Sequence, residues 1–217
     1  MTHAEMGSTA LCLMLLLGAY HGINPGMGWL FAVALGMQER KGSAVAKALG
    51  PIALGHALSI GTVALAAAYL GMALSRETIR YCVAALLIGL GIFSLVRHYH
   101  PRWVRMRVGF LDLTLWSFLI ATAHAAGLMV LPVLLNSSTV EAAGPMAGHY
   151  HASAGTTPLA ALLATAVHTT AYLAVTGFIA WVVYSKVGLA VLRKAWLNLN
   201  LVWAAALVVS GLVTLVM

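Results

Sequence analysis

His21-Gly22-Ile23-Asn24-Pro25-Gly26-Met27-Gly28 sits in the middle of an apolar run that extends from residue 8 to residue 37. About thirty residues of unbroken helix would reach about 45 Å, well beyond a hydrocarbon core of about 30 Å. Pro25 lacks a backbone donor and three glycines loosen the chain around it, so the helix is expected to break at Asn24-Pro25-Gly26. Irregular backbone survives at membrane depth only where protein or a cavity surrounds it. A break that carries an imidazole and a carboxamide therefore reads as the lining of a polar site inside a membrane protein.

The rest of the chain agrees with that reading. Hydrophobic residues make up 62% and charged residues 8%, against about 45–50% and about 25% in soluble domains. The composition predicts an all-α integral membrane protein. Further apolar runs near 48–74, 78–97, 110–135, 158–184 and 195–217 bring the expected spans to six. A chain of 217 residues then has little left for a soluble part, so residues 1–217 are expected to form one polytopic membrane domain. Met1-Thr2-His3-Ala4-Glu5 lacks a basic n-region, and the apolar run after it is too long for a cleaved signal, so the first helix is expected to be retained. Cys12 and Cys82 fall within spans and form no C-x-x-C motif, which fits small packing residues rather than a thiol relay.

The net charge of +7 is distributed in a telling way. The first loop carries Arg40, Lys41 and Lys47, the third Arg97, Arg102, Arg105 and Arg107, and the fifth Lys186, Arg193 and Lys194. Of the other loops, only the second has any basic residues, Arg76 and Arg80. By the positive-inside rule the odd loops are cytoplasmic and both termini lie outside, in a multi-pass protein of the inner (plasma) membrane. The basic charge is thus a topology signal and not a nucleic-acid footprint. The lipid bilayer is therefore an expected partner, with a homo-oligomer or a larger membrane complex left open.

Six spans with both termini on one side divide into two triplets of opposite orientation, repeat one about 8–97 and repeat two about 110–217. Many secondary transporters are built this way, with the substrate site near the midplane between the halves. Four histidines follow the same symmetry. His21 and His124 fall near the middle of spans one and four, His56 in the inner third of span two, and His168 in the outer third of span five. The expected fold is therefore six transmembrane helices arranged as two inverted three-helix repeats.

Ionisable groups at membrane depth are costly and mark functional sites. Neutral imidazole is the common nitrogen ligand for nickel, cobalt, copper and zinc, so His21, His56, His124 and His168 are the expected metal ligands, joined by Asn24 and the thioether of Met27. Glu5, Glu39, Glu77, Asp112 and Glu141 are the only acidic residues, and none but Asp112 approaches a span interior. This scarcity disfavours magnesium, calcium and manganese. No nucleophile and base pair or carboxylate dyad is visible at membrane depth, so an enzyme is not expected. His149 and His151, in the uncharged stretch between spans four and five, have the His-x-His spacing of an exposed outer capture site.

These segments resemble motifs of the nickel/cobalt transporter superfamily, within the wider LysE-type transporter group. Its exporters carry a first-helix signature close to His-Gly-x-Glu-Pro-Gly-His, similar to His21-Gly22-Ile23-Asn24-Pro25-Gly26-Met27. Leu54-Gly55-His56-Ala57 is similar to the importers' Leu-Gly-His-Ser, and His168-Thr169 to the exporters' His-Thr pair. The resemblance implies the six-span plan and a transported nickel or cobalt ion. Asn24 and Met27 replace an acid and a histidine of the signature, which softens the donor set and brings in copper. The alternatives are a haem b-binding electron-transfer protein, since paired histidines can serve as axial ligands, a LysE-type small-solute exporter, and a membrane subunit that helps assemble a metalloenzyme.

Overall fold

The computed structural model describes residues 3–71, 73–96, 109–142, 158–187 and 199–216. Its elements are α1 (His3–Ile23), a 3-10 turn (Pro25–Met27), α2 (Trp29–Glu39), α3 (Gly42–Leu70), α4 (Arg76–Val96), α5 (Phe110–Ala123), α6 (Ala126–Ala142), α7 (Pro158–Val182) running into a π-helical turn (Val183–Val187), and α8 (Leu199–Val216). Among the described residues there is no strand. Three stretches, Gly42–Leu70, Glu77–Val96 and Pro158–Lys186, are long and apolar enough to cross a membrane. A fourth is reached if Phe110–Ala123 and Ala126–Leu135 form one span bent by 59°. Thr9–Ile23 and Leu201–Val216 are apolar but shorter. The expected break ends the first of these at Ile23.

That break lies where Pro25 and its glycines place it. α1 stops at Ile23, and the Asn24 side chain accepts a hydrogen bond from the Gly26 amide at 2.9 Å, capping the 3-10 turn. Gly28 then turns the chain at φ 143°, a conformation that favours glycine, and a Cβ there would overlap Ile52. A second break was not expected. The run 110–135 is not one helix: α5 ends at Ala123, Ala125 adopts the left-handed conformation (φ 55°), and α6 continues past 135 to Ala142. Left-handed geometry costs an L-residue about 1–2 kcal/mol, so packing holds this bend rather than local preference.

A break strands backbone carbonyls that water cannot reach in a bilayer. Here side chains from elsewhere in the chain supply the missing donors. The Trp29 indole N–H donates to the Ile23 carbonyl at 2.9 Å, and the Trp203 indole to the His124 carbonyl at 3.1 Å. The Tyr172 hydroxyl donates to the Met27 carbonyl.

Small residues bring the helices close enough for these bonds. A Cβ at Gly18 would overlap the His168 carbonyl oxygen, and one at Gly22 would come 2.7 Å from that of Tyr172, so α1 and α7 run parallel at near contact. α3 and α5 are parallel too: a Cβ at Gly55 would overlap the Thr114 carbonyl, the Ser117 hydroxyl donates to the Ile52 carbonyl at 2.6 Å, and Ser59 bonds Thr122 at 2.9 Å. α4 and α8 are antiparallel and their contact is reciprocal. Gly91 faces Ala204 and Val208, while Gly211 faces Ala84 and Ile88, with the same spacing read from either helix. Gly36 and Gly42 lie against Tyr184 and Trp181, which puts Arg40 and Lys41 at the same end of the bundle as Lys186.

The outer surface is apolar like the core, and several polar side chains lie inside. His21, His56, His168, Ser59 and Thr176 are buried, whereas Leu111, Leu159, Phe178 and Leu115 face outward. Such a surface suits a hydrocarbon solvent.

Gly55→Ala should push α3 from α5, because the overlap is with backbone that cannot rotate away. A loss of about 1–3 kcal/mol is expected, read as a lower melting temperature in detergent. Gly89→Ala, where nothing lies within 4 Å of the added carbon, should leave that temperature unchanged or higher.

A buried histidine cluster between two helix breaks

His21 occupies the last turn of α1, just before the first break, and its Nδ1 lies 2.7 Å from the Leu17 carbonyl. A carbonyl only accepts, so Nδ1 carries the proton and Nε2 keeps its lone pair in the neutral ring. His124 repeats the arrangement at the end of α5, with Nδ1 2.8 Å from the Ile120 carbonyl. Metal-ligating histidines are commonly held this way, the second nitrogen donating to a carbonyl so that ring and tautomer are fixed.

His56 on α3 and His168 on α7 complete the cluster. The ring centres are 5.6 Å apart for His21 and His56, 5.0 Å for His21 and His168, and 5.6 Å for His56 and His168. All three residues are fully buried. Imidazoles sharing one ion at about 2.0–2.1 Å put their ring centres about 5 Å apart, the separation found here. Ordinary aromatic contacts also fall between about 4.5 and 7 Å, so spacing alone decides little. The nitrogens are more telling. His21 Nε2 and both ring nitrogens of His56 and of His168 are buried without a hydrogen-bond partner. The Met14 carbonyl lies towards His168 but outside hydrogen-bond geometry.

A buried polar atom without a partner is costly, and five such nitrogens lie together in this cluster. A ligand able to pair with several of them at once would suit the cluster. The rings do not yet form a cage: His56 and His168 are stacked at 13°, and among the described residues no group of three or more His, Cys, Asp or Glu side chains is set up to hold a metal. Rotation about χ2, a broad torsion in histidine, re-aims the nitrogens while nearly preserving the ring centres.

The other expected ligands are placed differently. His124 stands apart from the three, separated by Trp203, whose ring centre lies 5.2 Å from His21 and 5.0 Å from His124. Asn24 spends its side-chain oxygen on the Gly26 amide. Met27 is buried, and its carbonyl takes the Tyr172 hydroxyl. Asp112 is exposed at the start of α5, where it accepts from the Gly109 amide at 2.9 Å. His149 and His151 lie outside the described residues.

Three aromatics escaped the reading of the sequence. Tyr172 stacks on His56 at 3.8 Å, Trp203 stands between His21 and His124, and Tyr20 stacks on Trp203 at 5.4 Å with its hydroxyl unpaired. An aromatic with a polar tip inside an apolar span was the available signal. No family description, curated protein or solved structure matches this chain. The likeness to nickel/cobalt transporters therefore rests on the short motifs alone.

Tyr172→Phe keeps the ring against His56 but strands the buried Met27 carbonyl. It should cost about 1–3 kcal/mol and, in hydrogen exchange, raise exchange at residues 24–28 more than at the centre of α3.

Proposed function

We propose that this protein carries a transition-metal ion, of the nickel, cobalt or copper type, across the membrane through a site formed by His21, His56 and His168. The observation that carries the reading is the set of five unpaired imidazole nitrogens in one buried cluster. The ligands are neutral, and every carboxylate whose side chain is described is exposed, which favours borderline and soft ions over hard ones. Histidine donors without a thiolate cage also suit a site that must release its ion. Ion ligation fits the packing better than haem b, because His56 already has the Tyr172 ring 3.8 Å from its own and the three rings leave no slot for a macrocycle.

The transporter reading includes six crossings arranged as two inverted repeats. α1 with α2, α3 and α4 form one half, and α5 with α6, α7 and α8 the other. Several contacts support this division. α1 pairs with α7 as α3 pairs with α5, α4 and α8 meet through reciprocal glycines, and each half opens with a helix broken just after a tethered histidine. The end of the bundle bearing Arg40, Lys41 and Lys186 is the cytoplasmic one by the positive-inside rule, which puts both termini outside an inner membrane.

The purified protein should bind one nickel, cobalt or copper ion per chain, measured by titration calorimetry and elemental analysis. His56→Ala and His168→Ala should each weaken binding at least 10–100-fold, the loss typical even of residues that only support a ligand, and should abolish uptake into proteoliposomes. His100→Ala, in the basic third loop, should change neither. Parent protein that binds none of these ions would end the proposal.

Orientation has its own test. With Cys12 and Cys82 replaced by serine, Ser75→Cys should react with an impermeant maleimide in intact cells and Ser43→Cys only after permeabilisation. The reverse pattern would invert the topology.

A further inference from the structure

The cluster contains three of four symmetrically placed histidines, and the fourth, half-buried where its counterpart His21 is fully buried, shares that residue's tether. His21 and His124 each end a helix, and each has Nδ1 at hydrogen-bond distance from the carbonyl four residues earlier, at 2.7 and 2.8 Å. A break containing a positive-φ residue, Gly28 or Ala125, follows each of them. Both rings meet the same indole edge-on, Trp203, at 5.2 and 5.0 Å. His56 and His168, by contrast, lie on the antiparallel packed pair α3 and α7, with rings nearly parallel at 5.6 Å. Exchange of the two halves turns that pair into itself and turns His21 into His124.

Resting on the transport reading above, we infer that the protein has two alternative ligand sets, His56 and His168 with His21, and His56 and His168 with His124. The central pair holds the ion throughout, and the third ligand is handed from one half to the other. In the arrangement seen here His21 has closed on the pair. Trp203 keeps His124 out, its N–H bonded to the His124 carbonyl at 3.1 Å and its face stacked on Tyr20 at 8°. The bend at Ala125, like that at Gly28, is where a broken helix moves without unfolding. Both tethers leave Nε2 as the free nitrogen, so either histidine offers the same donor to the same ion. The exchange supplies what alternating access needs: a site that stays bound near the midplane while the half that closes it changes.

Asparagine separates this device from mere packing, because its side-chain amide can replace Nδ1–H at the tether while removing Nε2. His21→Asn and His124→Asn should each bind copper(II) within about tenfold of the parent, with an electron paramagnetic resonance spectrum showing three nitrogen ligands, since the remaining histidine completes the set. Each should lose at least 100-fold in proteoliposome transport, because one of the two states cannot load. The double variant should lose the third nitrogen and at least 100-fold in affinity. Transport by His124→Asn at the parent rate would overturn the exchange and leave a single-site carrier. So would loss of binding in His21→Asn as complete as in the double variant. If the parent binds no copper, nickel, cobalt or zinc, the metal reading and the exchange fall together. Circular dichroism and gel filtration confirm folding, and a variant that fails them is replaced by His→Ala at the same position.

Discussion

A polar atom inside hydrocarbon can turn only to the protein for a partner, and this constraint organises the whole molecule. Two helices break within apolar stretches, which should strand carbonyls on both sides of each break. The Trp29 and Trp203 indoles, the Tyr172 hydroxyl and the Asn24 carboxamide satisfy the stranded backbone. The backbone is thus repaired at the breaks while the imidazoles beside it are not. Here most of the unpaired buried nitrogens lie on three rings in mutual contact.

Close helix approach makes the repair possible. Gly18 and Gly22 let α1 settle onto the α7 backbone, and Gly55 does the same for α3 against α5. His21 is flanked by the first pair, and His56 directly follows the third glycine. The residues that remove side-chain bulk are therefore next to those that supply the chemistry. Packing density and site geometry are set by the same few positions.

Much of this was legible in the chain itself. Helical class and membrane character follow from composition, and Pro25 with its glycines announced the first break. Depth in apolar runs pointed to all four span histidines as one set, of which the structure brings His21, His56 and His168 together and leaves His124 beyond Trp203. Other features were hidden for physical reasons. Pro51 and Pro132 lie inside α3 and α6 without ending them, whereas the second break occurs at His124-Ala125, where no proline stands, because packing overrides the preference of Ala125. Asn24 looked like a ligand because its carboxamide sits at the break, but the shorter bond to Gly26 claims it. The partnership of Trp203 with both His21 and His124 joins residues far apart in sequence, and no local pattern encodes it.

The contact between α4 and α8 is reciprocal in a way that single helices rarely need. Gly91 meets the other helix as Gly211 meets it in return, so the face is self-complementary, as in an isologous dimer whose partners share one two-fold axis. A face of this kind matches a copy of itself, so one pattern of small residues serves both helices, and bulk added to either is met by equivalent neighbours on the other. The likeness stops short of the histidines: Trp203 on α8 supplies the indole between His21 and His124, while the matching place on α4 holds Val83.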